Sequence, residues 1–441
     1  MVGSSKLVSD WTVVIAFAMS VTLILSLLLR PKLGVLAYVL FMPMIAPLMD
    51  QVIAIPGSKA TIALGGLFHT IILFVGLFVI ARSDLRVLRM PAVGILVCLL
   101  FIMAISIFNG VDAIRGIKEL GRIAAITVVY LIAASSFKDE SDIRQFIVVL
   151  LLSLVVPFSF GIYQQVAHAG HITDPGYYIP PDQRYHRIMG TFGHPVPYAM
   201  FINFPLLLCL AFGLDSKTHI AKRLLFFCVA APLCLTLFWT YTRSCWFGMI
   251  VATVFMGIRK NKTLLMLVPI LLLLVLVYVP LKSIRLGEFS TGKLTFSGRI
   301  EGHKQMLPMV FERPLLGHGL TSFADFTTQS DHLRLLLETG FLGYAAFLCL
   351  LMALYRAVTE SYHWGNSPLE KNFFLAYMAY FACVVVVGFS ETNAIFQYYV
   401  WVPGGIVLAA RFYRGREETN AKPVGQTGDE TCPAAPGPAT R

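Results

Sequence analysis

The sequence has few charged residues. Of its 441 residues only 13% are Asp, Glu, Lys or Arg, whereas a soluble globular domain has roughly 25%. Because 57% of the chain is hydrophobic, it cannot cover a water-facing surface with polar groups, and a water-soluble fold is excluded. The net charge of +11 would suit nucleic acid, but the basic residues lie mostly in short loops between apolar runs. Lys and Arg in such loops set membrane topology, so no nucleic-acid partner is expected.

The motifs of several enzyme classes are also missing. None of the eight cysteines forms a CxxC pair, which argues against a disulfide framework and against a zinc site. The chain has no HExxH motif, no P-loop and no dinucleotide-binding fingerprint. Its loop acidic residues are scattered, without the paired carboxylates that hold Mg²⁺ beside a nucleotide diphosphate. We therefore expect no metal and no other cofactor, and a nucleotide-sugar donor is disfavoured.

Long apolar runs are abundant. Runs of about 17 to 23 residues, each able to cross a hydrocarbon core of roughly 30 Å as a helix, recur along the chain. The predicted segments are 11–29, 33–49, 61–81, 91–108, 121–136, 144–166, 196–214, 222–240, 244–258, 263–280, 340–358, 372–391 and 394–410. The segment at 33–49 and the one at 121–136 are the candidates for a half-span or a surface helix. The fold class predicted is an all-α polytopic membrane protein with about 12–13 transmembrane helices.

Loop charges predict the orientation of these helices. Basic loops at 82–89, 217–223 and 259–262, and the run after Arg411, alternate correctly as cytoplasmic. Two long connections, 167–195 and 281–339, then face the opposite side. The second is too long for a simple turn and contains a helical pattern at Arg299–Phe311, with Ile300, Met306, Leu307 and Val310 on one side. The expected organisation is an N-terminal bundle over 1–280, a periplasmic helical loop over 281–339, transmembrane helices over 340–411 and a disordered cytoplasmic tail over 412–441.

Two of the outward-facing features are candidate anion sites. Arg187 precedes a glycine-rich turn, Gly190–Pro195, which opens the next span and includes His194. A turn of this kind can offer free N–H groups and a helix dipole to an anion, although its arginines could equally meet lipid headgroups. Arg243 lies between two spans, where a guanidinium next to hydrocarbon usually has a partner or ligand, or snorkels to water.

Two further features carry histidines. Arg299 and His303 are four residues apart on the predicted loop helix, so both can point one way, but a solvated charged face explains them equally well. His332 lies with Glu338 beside the entry of a span. A histidine there can accept a proton near neutral pH or bind a phosphate. Because charges gather in outward loops rather than at mid-membrane depth, an enzyme is favoured over a transporter or flippase.

In chain order, these pieces resemble the O-antigen ligase family, which shares a membrane domain with O-antigen polymerases and bacterial O-oligosaccharyltransferases. The pieces are GTFGHP after Arg187, TYTRS around Arg243, SGR at Arg299, RPLLGHG from Arg313 and DHLRLLLETGFLG around His332. The resemblance covers roughly residues 120–410 and lies in their order and spacing. It implies a metal-independent, GT-C-like glycosyltransferase of the bacterial inner membrane, with its active site facing the periplasm. The implied partners are an undecaprenyl-pyrophosphate-linked O-antigen donor, a lipid A-core oligosaccharide acceptor and membrane lipids.

The resemblance also implies roles for individual residues. Arg187 and Arg243 would bind the pyrophosphate, Arg299 would assist, and His332 would be the catalytic histidine. Direct attack of the acceptor at the anomeric carbon would invert its configuration. A polymerase and a protein O-oligosaccharyltransferase remain the alternatives within this superfamily.

The chain departs from the family pattern at three positions. The family commonly has His-Asn where this chain has His332-Leu333, an aromatic residue at His303, and a smaller residue at His318. His303 and His318 are therefore further candidates for the site, together with His194 and Glu338.

Overall fold

The described part of the chain is built almost entirely from helices. A computed structural model describes residues 10–49, 52–54, 61–83, 85–167, 187–260, 262–266, 268–269, 296–323, 330–392 and 394–421. Its α-helices are α1 (Asp10–Leu29), α2 (Pro31–Met49), α3 (Leu64–Arg82), α4 (Pro91–Ser106), α5 (Ala113–Ser136), α6 (Glu140–Ser153), α7 (Val155–Ala167), α8 (Pro195–Gly213), α9 (Ile220–Trp239), α10 (Arg243–Arg259), α11 (Phe296–Glu312), α12 (Asp331–Trp364), α13 (Pro368–Gly388) and α14 (Tyr398–Ala421). Short 3₁₀ turns occur at Leu85–Arg89, Ile107–Asn109 and Lys262–Met266. Two short strands, β1 (Val52–Ala54) and β2 (Thr61–Ala63), pair antiparallel. The predicted fold class, an all-α polytopic membrane protein, is confirmed.

The apolar segments coincide with these helices. Every predicted segment other than 263–280 matches a described helix, and that segment lies mostly outside the described residues. Over the described ranges, seven helical stretches are long and apolar enough to cross a membrane, and three more helices contain shorter apolar runs. The segment predicted at 144–166 is interrupted at Leu154, where α6 ends and α7 begins. These features make the chain a multi-pass membrane protein.

Helices α8 and α13 form the centre of the bundle. Nearly all residues of α8 are buried, and α8 packs against α9 and α13, while α13 also packs against α10 and α12. Helix α5 lies between α3 and α14, and small residues let these neighbours come close. A Cβ added to Gly76 would lie 2.1 Å from Val128 Cγ1, and one added to Gly405 would lie 2.5 Å from the carbonyl oxygen of Tyr130. Close backbone approach at small residues is how helices gain packing energy in lipid.

One end of the bundle is closed by a polar cluster. Asn372, on α13, donates to the Asp215 carboxylate at 2.7 Å. Lys260, after α10, bonds to Asn372 and lies 3.9 Å from Asp215. Asp215 lies two residues before the basic loop at 217–223 and Lys260 lies within the one at 259–262, so both loops are at the same end of the bundle. Burial lowers the pKa of Lys260, and Asp215 opposes that change.

Helix α12 is kinked at the opposite end of the bundle. It begins at Asp331, inside the connection predicted as a loop, and Gly340 interrupts it with φ 67° and ψ −169°. This backbone conformation is accessible essentially only to glycine. The kink breaks the helical ladder, so the carbonyl groups before Gly340 and the N–H groups after it need partners elsewhere.

The RPLLGHG segment supplies these partners. The N–H groups of His318 and Gly319 donate to the carbonyl oxygens of Leu337 and Glu338 at 2.9 and 3.0 Å. After the kink, the N–H groups of Phe341 and Leu342 donate to the carbonyl oxygens of residues 314 and 315 at 2.7 and 3.3 Å. The segment preceding α12 therefore wraps around the kink and holds its first two turns in place.

The loop helix predicted at 299–311 is present as α11. Met306 and Val310 pack with Phe323 and Leu337 in a small separate cluster, as the predicted apolar side requires. Leu307 was assigned to that same side from the sequence, but it is 51% exposed, because α11 packs against the rest of the protein along only a narrow stripe of its surface.

Candidate functional site

Arg187 and the turn before Arg243 meet at the end of the bundle that carries the kink. The Arg187 side chain donates from Nε to the carbonyl oxygen of Thr240 at 3.0 Å and from Nη2 to Thr242 Oγ1 at 3.2 Å. The neighbouring N–H of Ile188 donates to the carbonyl oxygen of Trp239 at 3.2 Å. The structure thus joins the loop before α8 to the turn between α9 and α10, which ends in the exposed Arg243.

The glycine-rich turn after Arg187 differs from expectation. Gln164 Oε1, from α7, accepts from the N–H groups of both Met189 and Gly190 at 3.0 Å, and Gln164 Nε2 donates to the carbonyl oxygen of Gly190 at 3.2 Å. His194 Nδ1 accepts from the N–H of Val196 at 3.2 Å and so caps α8. The prediction that N–H groups of this turn are free for an anion was wrong for Gly190, because its buried N–H is already hydrogen-bonded to Gln164. His194 has a helix-capping role in this geometry.

The start of α10 is tied to the start of α12 through Glu391. Ser244 Oγ donates to Glu391 Oε1 at 2.8 Å, and the carbonyl oxygen of Glu391 accepts from the N–H of Asp331 at 3.1 Å. Glu391 is partly exposed in the turn after α13. It was not among the residues singled out from the sequence, although an acidic residue directly after an apolar run is a usable signal.

His332 lies on the first turn of α12, which Ser330 caps. Ser330 Oγ accepts from the N–H of Leu333 at 3.3 Å. The imidazole has Nε2 3.3 Å from the carbonyl oxygen of Val385 and Nδ1 3.3 Å from the hydroxyl of Tyr344. Its ring stacks on Phe389 with centroids 3.9 Å apart and 11° between the planes. Only 5% of the residue is exposed, so His332 is an enclosed histidine rather than a surface one.

Asp331 holds the turn that precedes α14. Its Oδ2 accepts from the N–H groups of Ala394 and Ile395 at 2.8 and 3.0 Å. The next carbonyl oxygen, that of Phe396, accepts from Arg122 Nη1 at 2.8 Å. The turn is therefore fixed by one residue of α12 and one of α5.

A network of two arginines and two glutamates joins α5 to α12. Arg122 donates to both carboxylate oxygens of Glu119 at 2.8 and 2.9 Å, and Arg334 donates to Glu338 at 3.0 Å. Arg334 Nη2 lies 3.9 Å from Glu119, which joins the two pairs. Burial alone would raise the pKa of Glu119, but Arg122, and less directly Arg334, lowers it to about 2. Glu338, a candidate from the sequence, therefore belongs to a network in which two positive and two negative charges balance and which stabilises α12.

The remaining candidates lie on α11 and on the segment that follows it. The side chain of Arg299 lies outside the described residues, and His303 is half-buried on α11. His318 Nε2 lies 2.8 Å from the carbonyl oxygen of Met309 and 4.0 Å from Glu312 Oε2. Both contacts link His318 to the end of α11, which suits a role in holding the segment that wraps around the kink.

Together, these contacts assemble one polar region. It contains the Arg187 guanidinium, the turn that leads into the exposed Arg243 and the Glu391 carboxylate, and Glu391 joins it through Asp331 to the enclosed His332. Guanidinium groups can bind phosphate oxygens, and a neutral imidazole can accept a proton. Among the residues that the structure describes, no group of three or more His, Cys, Asp or Glu side chains is placed to hold a metal ion.

Comparison with known families agrees with the resemblance seen in the sequence. Residues 226–348 match the family model described as O-antigen ligase. This part of the chain, which is less than half of its length, is therefore similar to the O-antigen ligase family. The matched residues include Arg243, Arg299 and His332 and end before α12 does. No curated protein sequence matches the chain.

Proposed function

We propose that this protein is an O-antigen ligase of the bacterial inner membrane. It transfers O-antigen polysaccharide from undecaprenyl pyrophosphate to lipid A-core oligosaccharide at the periplasmic face. The observation that carries the proposal is the convergence of Arg187 with the turn that leads into Arg243, and the link from that turn through Glu391 to the first turn of α12. The family match is consistent with this substrate class.

The reaction needs two kinds of assistance. Undecaprenyl pyrophosphate is already a good leaving group, so stabilising the charge on the departing diphosphate lowers the barrier. Arg187 and Arg243 are proposed for that role because a guanidinium is always charged and carries five N–H donors, of which Arg187 uses two for Thr240 and Thr242. Arg299 is proposed to assist from α11. The acceptor hydroxyl must also lose a proton, and His332 is proposed as its final acceptor.

The bonds change in a single displacement. The acceptor oxygen forms a bond to the anomeric carbon while the bond from that carbon to the diphosphate oxygen breaks. The electron pair leaves with the diphosphate, and the configuration at the anomeric carbon inverts. Basic loops on the other side of the bundle support the proposed orientation, because Lys and Arg concentrate on the cytoplasmic side.

The test is a transfer assay with the purified protein in detergent and EDTA. The donor is undecaprenyl-pyrophosphate-linked glycan and the acceptor is lipid A core. Wild type is compared with His332→Ala and Arg243→Ala, and Arg259→Ala serves as a matched control at the opposite end of α10. We expect glycan on the core with the wild type and the control, and a loss of at least about 10²-fold in the two site variants.

Other products would point elsewhere. Longer lipid-linked glycan without transfer to the core would identify a polymerase, and glycan on an added acceptor peptide would identify a protein O-oligosaccharyltransferase. Absence of any transfer by the wild type would refute the proposal and favour a transporter or flippase.

A further inference from the structure

We infer that Tyr344 is a catalytic residue which receives the proton of the acceptor hydroxyl and passes its own proton to His332. This inference rests on the proposed function and adds a residue to it. It follows from the way in which the imidazole of His332 is enclosed and hydrogen-bonded.

The hydrogen bonds of His332 identify its tautomer. Nε2 faces the carbonyl oxygen of Val385 at 3.3 Å, and a carbonyl oxygen can only accept a hydrogen bond. Nε2 therefore carries the proton in the neutral ring, and the lone pair is on Nδ1. Since the Tyr344 hydroxyl lies 3.3 Å from Nδ1, it donates to that lone pair. The basic atom of His332 is thus already occupied by a phenol.

The surroundings of His332 leave little room for direct contact with a sugar. One face of the ring is covered by Phe389 at 3.9 Å, and Phe347 packs edge-on with centroids 5.6 Å apart. The residue as a whole is 5% exposed, whereas Tyr344 is partly exposed. An acceptor hydroxyl that approaches this site can therefore meet the phenol before the imidazole.

The kink in α12 makes this pair possible. His332 and Tyr344 are 12 residues apart on one helix. In a straight helix that separation spans roughly 18 Å along the axis, far beyond the reach of the two side chains. Gly340 lies between them and redirects the chain, so that the hydroxyl and the ring nitrogen come within hydrogen-bonding distance.

The proton balance of the proposed step is complete. The acceptor O–H gives its proton to Tyr344 Oη, and the original Tyr344 proton moves to His332 Nδ1. The imidazolium that results still donates from Nε2 to the carbonyl oxygen of Val385. As the acceptor oxygen bonds to the anomeric carbon, the diphosphate leaves with the electron pair. The imidazolium later returns its proton through Tyr344 to water or to the released diphosphate.

The test compares Tyr344→Phe with Tyr355→Phe in the transfer assay described above. Tyr355 is on the same helix, and its hydroxyl bonds to Arg259 at the other end of the bundle, so this control removes the same atom away from the site. Single-turnover rates are measured in mixtures of H₂O and D₂O. We expect Tyr344→Phe to lower the transfer rate by about 10²-fold with little change in KM, and Tyr355→Phe to stay within twofold of wild type.

The isotope series separates a relay from a purely structural role. In the wild type, two protons move together, so the rate should fall along a curve as the D₂O fraction rises. A Tyr344→Phe rate near that of the wild type would overturn the inference. So would a slower variant that keeps the curved isotope dependence of the wild type. If wild type and Tyr344→Phe transfer equally while His332→Ala does not, the proposed function stands and only the role of Tyr344 fails; if the wild type transfers nothing, both fail.

Discussion

Replacing Gly340 by alanine should damage both stability and activity. Alanine would have to adopt φ 67° and ψ −169°, which costs about 1 to 3 kcal/mol for a residue with a Cβ. The new Cβ would also lie 2.4 Å from the carbonyl oxygen of Leu315 and 2.7 Å from the backbone nitrogen of Gly317. Both are main-chain atoms, so the clash cannot be relieved by rotating a side chain.

The size of the destabilisation follows from the part of the backbone that must move. Relieving the clash displaces the segment that wraps around the kink, and four backbone hydrogen bonds join that segment to α12. With each bond worth about 0.5 to 1.5 kcal/mol, losing two of them adds about 1 to 3 kcal/mol to the conformational cost. We expect a total destabilisation of about 2 to 6 kcal/mol and, at roughly 1 °C per kcal/mol for a chain of this length, a thermal midpoint lowered by about 2 to 6 °C.

Gly94→Ala is the matched control for this experiment. Gly94 is in α4, and a Cβ placed there would have nothing within 4 Å. The control should therefore be neutral or slightly stabilising, because alanine favours a helix over glycine by up to about 1 kcal/mol. Thermal unfolding of both variants in detergent, followed by size-exclusion chromatography of the remaining folded protein, measures the difference. Midpoints for Gly340→Ala and Gly94→Ala that agree within 1 °C would refute the reasoning.

Two more predictions concern the supports of the site. Arg122→Met removes both hydrogen bonds to Glu119 and leaves a poorly hydrated carboxylate, which should cost about 3 to 5 kcal/mol at pH 8. Arg122 holds the pKa of Glu119 low, so in the variant burial should raise that pKa and the deficit in thermal stability should shrink as the pH falls from 8 to 5; a deficit that does not change with pH would contradict this. Gln164→Leu removes the acceptor for the N–H groups of Met189 and Gly190, so it should lower stability by about 1 to 3 kcal/mol and raise the KM for the lipid-linked donor more than it lowers kcat. Transfer kinetics at varied donor concentration check the second prediction, and an unchanged KM would count against it.

Much of the architecture could be predicted from the sequence. A span in lipid must satisfy its backbone hydrogen bonds internally, so a long apolar run has few alternatives to a helix. That constraint is local, and the predicted segments therefore match helices wherever the structure describes them, apart from details such as the break at Leu154. The helix over 299–311 was also predictable, although the side of it that packs was assigned wrongly at Leu307.

The site was predictable only in part. The sequence marked Arg187, Arg243 and His332 because charged or titratable side chains at the edge of a membrane span require an explanation. It did not reveal that Glu391 contacts Ser244, because the two residues are 147 positions apart in the chain. It also suggested free N–H groups in the glycine-rich turn, since nothing near that turn in the chain reveals that Gln164 occupies them.

Composition and local pattern by themselves determined that this chain lies in a membrane as a bundle of helices, with the polar residues of its candidate site at one end. Both follow from the cost of placing charge or unpaired backbone groups in hydrocarbon, which each segment meets on its own. Only the tertiary structure decided what that polar end is made of. In the sequence, Gly340 looks like one more small residue in an apolar helix. In the structure, the segment wrapped around Gly340 holds it in a backbone conformation that is accessible essentially only to glycine. That bend brings His332 to Tyr344, because a contact between side chains 12 residues apart on one helix requires the helix to change direction.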